Sequence, residues 1–95
     1  MNESSMPPAS RPMIGRGFRL QWEPAQNAYV LLYPEGMIKL NASAGEIMKR
    51  CSGEATVAEI TADLERAFST SGLAAEVAAF VDLALQKQWL MAAAP

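Results

Sequence analysis

YVLLYPEGMIKLNASAGEIMKRC, residues Tyr29 to Cys51, decides the fold, because a strand, a turn, an edge strand and a helix start follow one another in it without a break. Val30, Leu31, Leu32 and Tyr33 form a β-branched and aromatic run. Pro34 pre-sets φ at the second turn position, and Gly36 accepts a left-handed backbone, so Pro34-Glu35-Gly36 predicts a hairpin turn. The returning strand, Met37 to Leu40, is short and runs into Asn41, a favoured helix N-cap. Ser43-Ala44-Gly45-Glu46 offers a second cap in capping-box spacing.

Upstream, Phe18, Leu20 and Trp22 alternate with Arg19, Gln21 and Glu23, the period of a half-buried strand. Pro24-Ala25-Gln26-Asn27 interrupts it. The second strand, Ala28 to Tyr33, is apolar on both faces and suits the middle of a sheet. Met37 to Leu40 then forms the outer strand of a three-stranded antiparallel meander.

After Asn41 the period lengthens to about 3.6 residues. Ala44, Ile47, Met48 and Cys51 share one stripe, and Ser52-Gly53 ends that helix. Thr56 with Glu59 makes a capping box for a second helix, in which Val57, Ile60, Leu64 and Phe68 repeat at helical spacing until Ser69-Thr70-Ser71-Gly72. A third, alanine-rich helix runs from about Ala74 to Gln88, and Trp89 and Leu90 plug the core. The expected fold is α+β and winged-helix-like, a three-stranded antiparallel meander followed by three helices. The domain is expected over residues 13–91. A polar, proline-rich tail over 1–12 is expected to be mobile, and 92–95, in a stretch that loosens from Met91, to be frayed.

The 95 residues and 51% hydrophobic content suit one domain with a modest core. A net charge of −2 provides no field favouring a phosphate backbone or an anionic membrane. One cysteine and no histidine remove a disulfide framework, the common zinc sets and the usual imidazole base. Cys51 falls on an apolar helix face and is expected to be a buried hydrophobe. No apolar run nears the roughly 20 residues that span a bilayer, and no secretion signal precedes the domain, so a cytoplasmic location is expected.

Catalysis finds few parts. The carboxylates have plain explanations: Glu46 and Glu59 stand at capping-box positions, Glu35 in a turn, and the others on polar helix faces. No phosphate loop, nucleophile motif, cofactor motif or metal set is present, so neither an enzyme nor a cofactor is expected. Winged-helix shape invites a nucleic-acid role, but the third helix sets Glu76 and Asp82 against Lys87 alone. A peptide-binding surface uses what remains. The outer strand, Gly36, Met37, Ile38, Lys39 and Leu40, is an edge on which an extended peptide can add. On the third helix, Phe80 and Leu83 widen the apolar arc beyond Leu73, Val77, Val81, Ala84 and Leu85 to roughly half the circumference, with Glu76 and Lys87 beside it. The plain alternatives are an aggregation guard at Lys39 and a helix that is simply well buried.

These residues in this order resemble the PqqD family of pyrroloquinoline quinone biosynthesis. The resemblance is carried by Arg16-Gly17-Phe18-Arg19-Leu20 with Trp22-Glu23, by Val30 to Gly36, by Leu40-Asn41 and Ser43 to Ile47, and by Gly53, Thr56-Val57 and Ile60. Ser52-Gly53 departs from the Asp-Gly usual in the family, and the tail has no clear counterpart. The resemblance implies a non-catalytic peptide chaperone and RiPP recognition element. It would bind the precursor peptide PqqA by strand addition at the third strand, against the third helix, and present it to the radical SAM enzyme PqqE. A nucleic-acid-binding module and a self-pairing homodimer are the alternatives.

Overall fold

The computed structural model describes residues 6–93. Its elements are β1 (Pro12–Ile14), β2 (Arg19–Glu23), β3 (Ala28–Tyr33), β4 (Gly36–Lys39), α1 (Ala42–Lys49), α2 (Val57–Ala67), α3 (Ala74–Gln86) and β5 (Leu90–Ala92). The expected meander is present, in the order β2-β3-β4, with β3 in the middle and β4 at an edge. Tyr33 pairs with Gly36 across Pro34-Glu35, and the register continues to Val30 opposite Lys39. Side chains alternate across a strand, so Tyr29, Leu31 and Tyr33 face one side, together with Ile38 opposite Leu31. That side receives α1. Gly45 lets the helix settle against Tyr29, where a Cβ would lie 3.0 Å from ring carbon Cδ2.

Each helix buries one stripe. Ala44, Ile47 and Met48 of α1, with Cys51 just beyond it, are buried as the 3.6-residue period predicts. So are Val57, Ile60 and Leu64 of α2 and Val77, Val81 and Ala84 of α3. Together with Leu31, Leu40 and Leu90 they form one core cluster. At about 25 cal/mol per Å² of apolar surface, each fully buried aliphatic side chain supplies roughly 2 kcal/mol.

Three expectations fail, each for a backbone reason. Phe68 does not extend the stripe of α2. It is the C-cap, 55% exposed. Ser69 follows with φ at 50°, and Thr70 donates its amide to the Glu65 carbonyl at 2.9 Å, so the chain turns away before Phe68 reaches the core. Likewise α3 stops at Gln86, not Gln88. Gln88 is left-handed, and Trp89 donates its amide to the Ala84 carbonyl.

The third correction concerns both ends of the chain. Pro12–Ile14 pairs antiparallel with Leu90–Ala92, so Pro12 is not tail and Met91 and Ala92 are not frayed. The described part of the expected tail is bonded too. Val57 and Ala58 donate their amides to the carbonyls of Ser10 and Pro8, at 2.9 and 3.0 Å. These are first-turn amides that no carbonyl within α2 can reach. A proline-rich segment still carries carbonyls, and here they complete a helix terminus. Residues 1–5 and 94–95, the remainder of the expected loose ends, lie outside the described residues.

Candidate functional site

The edge strand is aimed by its register. Leu40 donates its amide to the Tyr29 carbonyl at 3.0 Å. Antiparallel pairs alternate between hydrogen-bonded and non-bonded positions, so Ile38 and Gly36 also turn their main chain towards β3. The amides and carbonyls of Met37 and Lys39 therefore point away from the sheet. Among the described residues no strand pairs with that edge.

Beside the edge lies a groove of about 240 Å³. Its walls are Ile38, Lys39 and Leu40 on one side and Glu76, Phe80 and Leu83 on the other, with Ser43, Ile47 and Trp89 also lining it. Glu76, Phe80, Leu83 and Lys87 recur at helical spacing, so α3 presents them as one ridge next to its buried stripe. Leu83 is 44% exposed and Phe80 half-buried. Phe80 rests against Trp89, with ring centroids 6.4 Å apart. Lys87 is not on the groove wall. Its Nζ sits 5.8 Å from the centroid of Trp89, a cation-π position one layer behind.

Six of the nine residues singled out from the sequence thus meet in one groove. Gly36 and Met37 continue along β4, and Met37 is 47% exposed. Alternation sends the Lys39 side chain to the face opposite Ile38. Sequence reasoning treated Trp89 as a plug and overlooked Ser43 and Ile47. No local signal marks Trp89: a Schellman turn after α3 swings it back over its own helix, with Gln88 and not glycine at the left-handed position.

Asn41 holds the corner between β4 and α1. Its Oδ1 accepts the Ala44 amide at 2.8 Å and the Ser43 hydroxyl at 3.2 Å, so the second expected cap, at Ser43, is not used. Glu46, expected at a capping-box position, instead accepts from Arg50 Nη1 at 2.8 Å. Arg50 also donates from Nε to Asp63 at 2.6 Å, which ties the end of α1 to α2. That hydrogen bond holds the Asp63 carboxyl below the ordinary carboxylate range. Glu59, by contrast, caps as expected: it accepts the Thr56 amide at 2.8 Å, and this bond keeps its carboxyl low as well. Burial pushes the Cys51 thiol up to about 12, so it is not a nucleophile at neutral pH. Among the described residues no group of His, Cys, Asp and Glu is arranged to hold a metal ion, and no helix is long and apolar enough to cross a membrane.

Comparison with known families places the chain. The family of coenzyme PQQ synthesis protein D (PqqD) matches residues 28–90, from the middle strand to β5. The chain belongs to the PqqD family. It is 48% identical over 80 residues to the PqqA binding protein of Stutzerimonas stutzeri strain A1501, covering 83% of this chain and 87% of that one. It is 50% identical over 82 residues to the PqqA binding protein of Pseudomonas aeruginosa strain UCBPP-PA14, covering 85% and 89%. Among solved structures it is similar to the NMR structure of the PqqD truncation of Methylobacterium extorquens PqqCD, described as a functional, stand-alone RiPP recognition element. That match has a TM-score of 0.72 at 26% identity and covers 96% of this chain and 99% of the other. At 96% coverage that match runs beyond residues 28–90 on both sides.

Proposed function

We propose that this protein binds the precursor peptide PqqA as an added strand on β4 and presents it to the radical SAM enzyme PqqE, without catalysing a step itself. The observation that carries the docking mode is the outward main chain of Met37 and Lys39 beside the Phe80–Leu83 ridge. The PqqA-binding relatives support the choice of peptide. Main-chain pairing supplies affinity that does not depend on sequence, and alternate peptide side chains descend into the groove to supply choice. The binding site is Gly36, Met37, Ile38, Lys39 and Leu40 with Glu76, Phe80, Leu83 and Lys87. The side chains of Lys39 and Lys87 stand outside the groove itself, where they favour acidic peptide residues flanking the docked stretch.

The free peptide is extended and disordered, so ordering it costs free energy and the affinity is moderate. PqqE then meets a preformed pair in the cytoplasm instead of a mobile chain. Titration of PqqA into isotopically labelled protein tests the docking. The amides of Met37 and Lys39 and the α3 ridge are expected to shift. Shifts confined to helix surfaces remote from β4 count against the mode, and no shift at micromolar peptide counts against the function. Sedimentation with and without peptide separates this from self-pairing, in which the edge of one copy takes the edge of another and peptide leaves the dimer unchanged.

A further inference from the structure

The groove does not stop at Glu76. Ser43, Ile47 and Glu76 line it, and the same three residues line a second hollow of about 350 Å³ on their far side. That hollow lies between the start of α1, the end of α2 and the start of α3, and its walls include Leu64, Phe68, Leu73 and Val77. Resting on the β4 docking proposed above, we propose that this hollow is a second anchor site, taking one bulky aliphatic or aromatic side chain of the same peptide outside the stretch that pairs with β4.

Three observations support that occupant. The hollow adjoins the groove, the two sharing Ser43, Ile47 and Glu76 as walls, so a peptide that leaves the β4 edge past Lys39 and crosses Ser43 meets it next. It is apolar, and Phe68 stands 55% exposed at its mouth, a large aromatic surface that the fold itself does not use. It is also held open by local bonds. The turn after α2 fixes Phe68 through the Ser69 and Thr70 amides, which donate to the carbonyls of Arg66 and Glu65. Leu73 is held by its amide, which donates to Glu65 Oε2 at 2.9 Å. A preformed apolar pocket loses little entropy on filling, and this suits it to anchor a peptide that loses much.

The test uses the full chain with methyl-labelled Leu64 and Leu73 and two synthetic peptides, whole PqqA and the segment limited to the β4-paired stretch. Whole PqqA is expected to shift both β4 amides and hollow methyls, whereas the short segment shifts β4 alone. Phe68→Ala is expected to weaken whole PqqA about tenfold, the usual cost of truncating an aromatic anchor, and to leave the short segment unaffected. Ala42→Leu, which fills the hollow from an exposed position, repeats the result without removing a wall. Silent hollow methyls with normal β4 shifts, or unchanged affinity in both variants, overturn the second anchor and leave the β4 docking standing. Loss of PqqE binding with unchanged peptide affinity also overturns it and assigns the hollow to the enzyme. Absence of any β4 shift overturns the docking mode itself, and the second anchor with it.

Discussion

The amide of Leu40 donates to the carbonyl of Tyr29 at 3.0 Å, and that bond fixes which way the edge strand faces. With residue 40 bonded inward, residues 39 and 37 must point outward. The hairpin turn counts off the same register from the other end, since Tyr33 opposite Gly36 closes a two-residue loop. A one-residue slip would exchange the two sets and turn Ile38 out of the core. The turn, the Asn41 cap and the half-buried Ile38, packed against the core, all therefore hold the open edge in place.

Gly15 is the tightest point of the β1–β5 clasp. It donates its amide to the Trp89 carbonyl at 2.7 Å, and a Cβ there would collide with the carbonyl oxygen of Gln88. The obstacle is backbone, which cannot swing aside. Gly15→Ala is expected to cost about 2 kcal/mol or more, read as a lowered midpoint in urea, with faster amide exchange at Ile14 and Leu90.

Gln88 carries a left-handed backbone at φ 66° without the freedom of glycine. Gln88→Gly keeps the turn that ends α3 and removes the Cβ penalty, offset by greater freedom in the unfolded chain. A net gain of about 0.5–1 kcal/mol is expected, seen as a higher thermal midpoint. A lowered midpoint would mean that the Gln88 side chain makes contacts worth more than the strain.

Asp63 makes stability depend on acid. Its carboxyl is held low by the Arg50 hydrogen bond, so its contribution is complete above the unfolded value of about 4 and is lost as pH falls through the folded value. Glu59 acts in the same direction through its Thr56 amide bond. Thermal midpoints measured between neutral pH and about pH 3 are expected to fall in the wild type and to fall less in Asp63→Asn. Because Asp63 is half exposed, added salt narrows the difference.

Cys51 is 3% exposed, and its thiol is pushed up to about 12 by burial. A thiol reagent is expected to label the folded protein only as fast as it opens globally, and at the ordinary rate in denaturant. Rapid labelling of the native protein would contradict its place in the core.

Side-chain periodicity made most of this fold legible. The apolar middle strand and the stripes through Ile47, Ile60 and Val77 lie where the sequence puts them, and the Phe80–Leu83 ridge faces the edge strand as the wide arc of α3 implied; the alternation of the first meander strand holds only in part, since β2 starts at Arg19 and Trp22 is 46% exposed. What stayed hidden depends on main-chain atoms. Carbonyls of Pro8 and Ser10 complete α2, and a three-residue clasp joins chain ends whose composition reads as loose. The groove's Trp89 is turned into place by a left-handed glutamine that no propensity favours. Glu46 illustrates a different limit: its spacing from Ser43 fits a cap, yet the stronger partner, Arg50, lies one turn on.

The most direct test replaces Met37 with proline and compares it with Met37→Ala. Proline removes an amide that points away from β3, so the sheet keeps its bonds and the unfolding free energy should match that of the alanine variant within about 1 kcal/mol. Calorimetric titration with PqqA is expected to show at least about a tenfold weaker affinity for the proline variant and near-normal affinity for alanine. A folded Met37→Pro protein that binds PqqA as tightly as Met37→Ala would contradict strand addition at this edge.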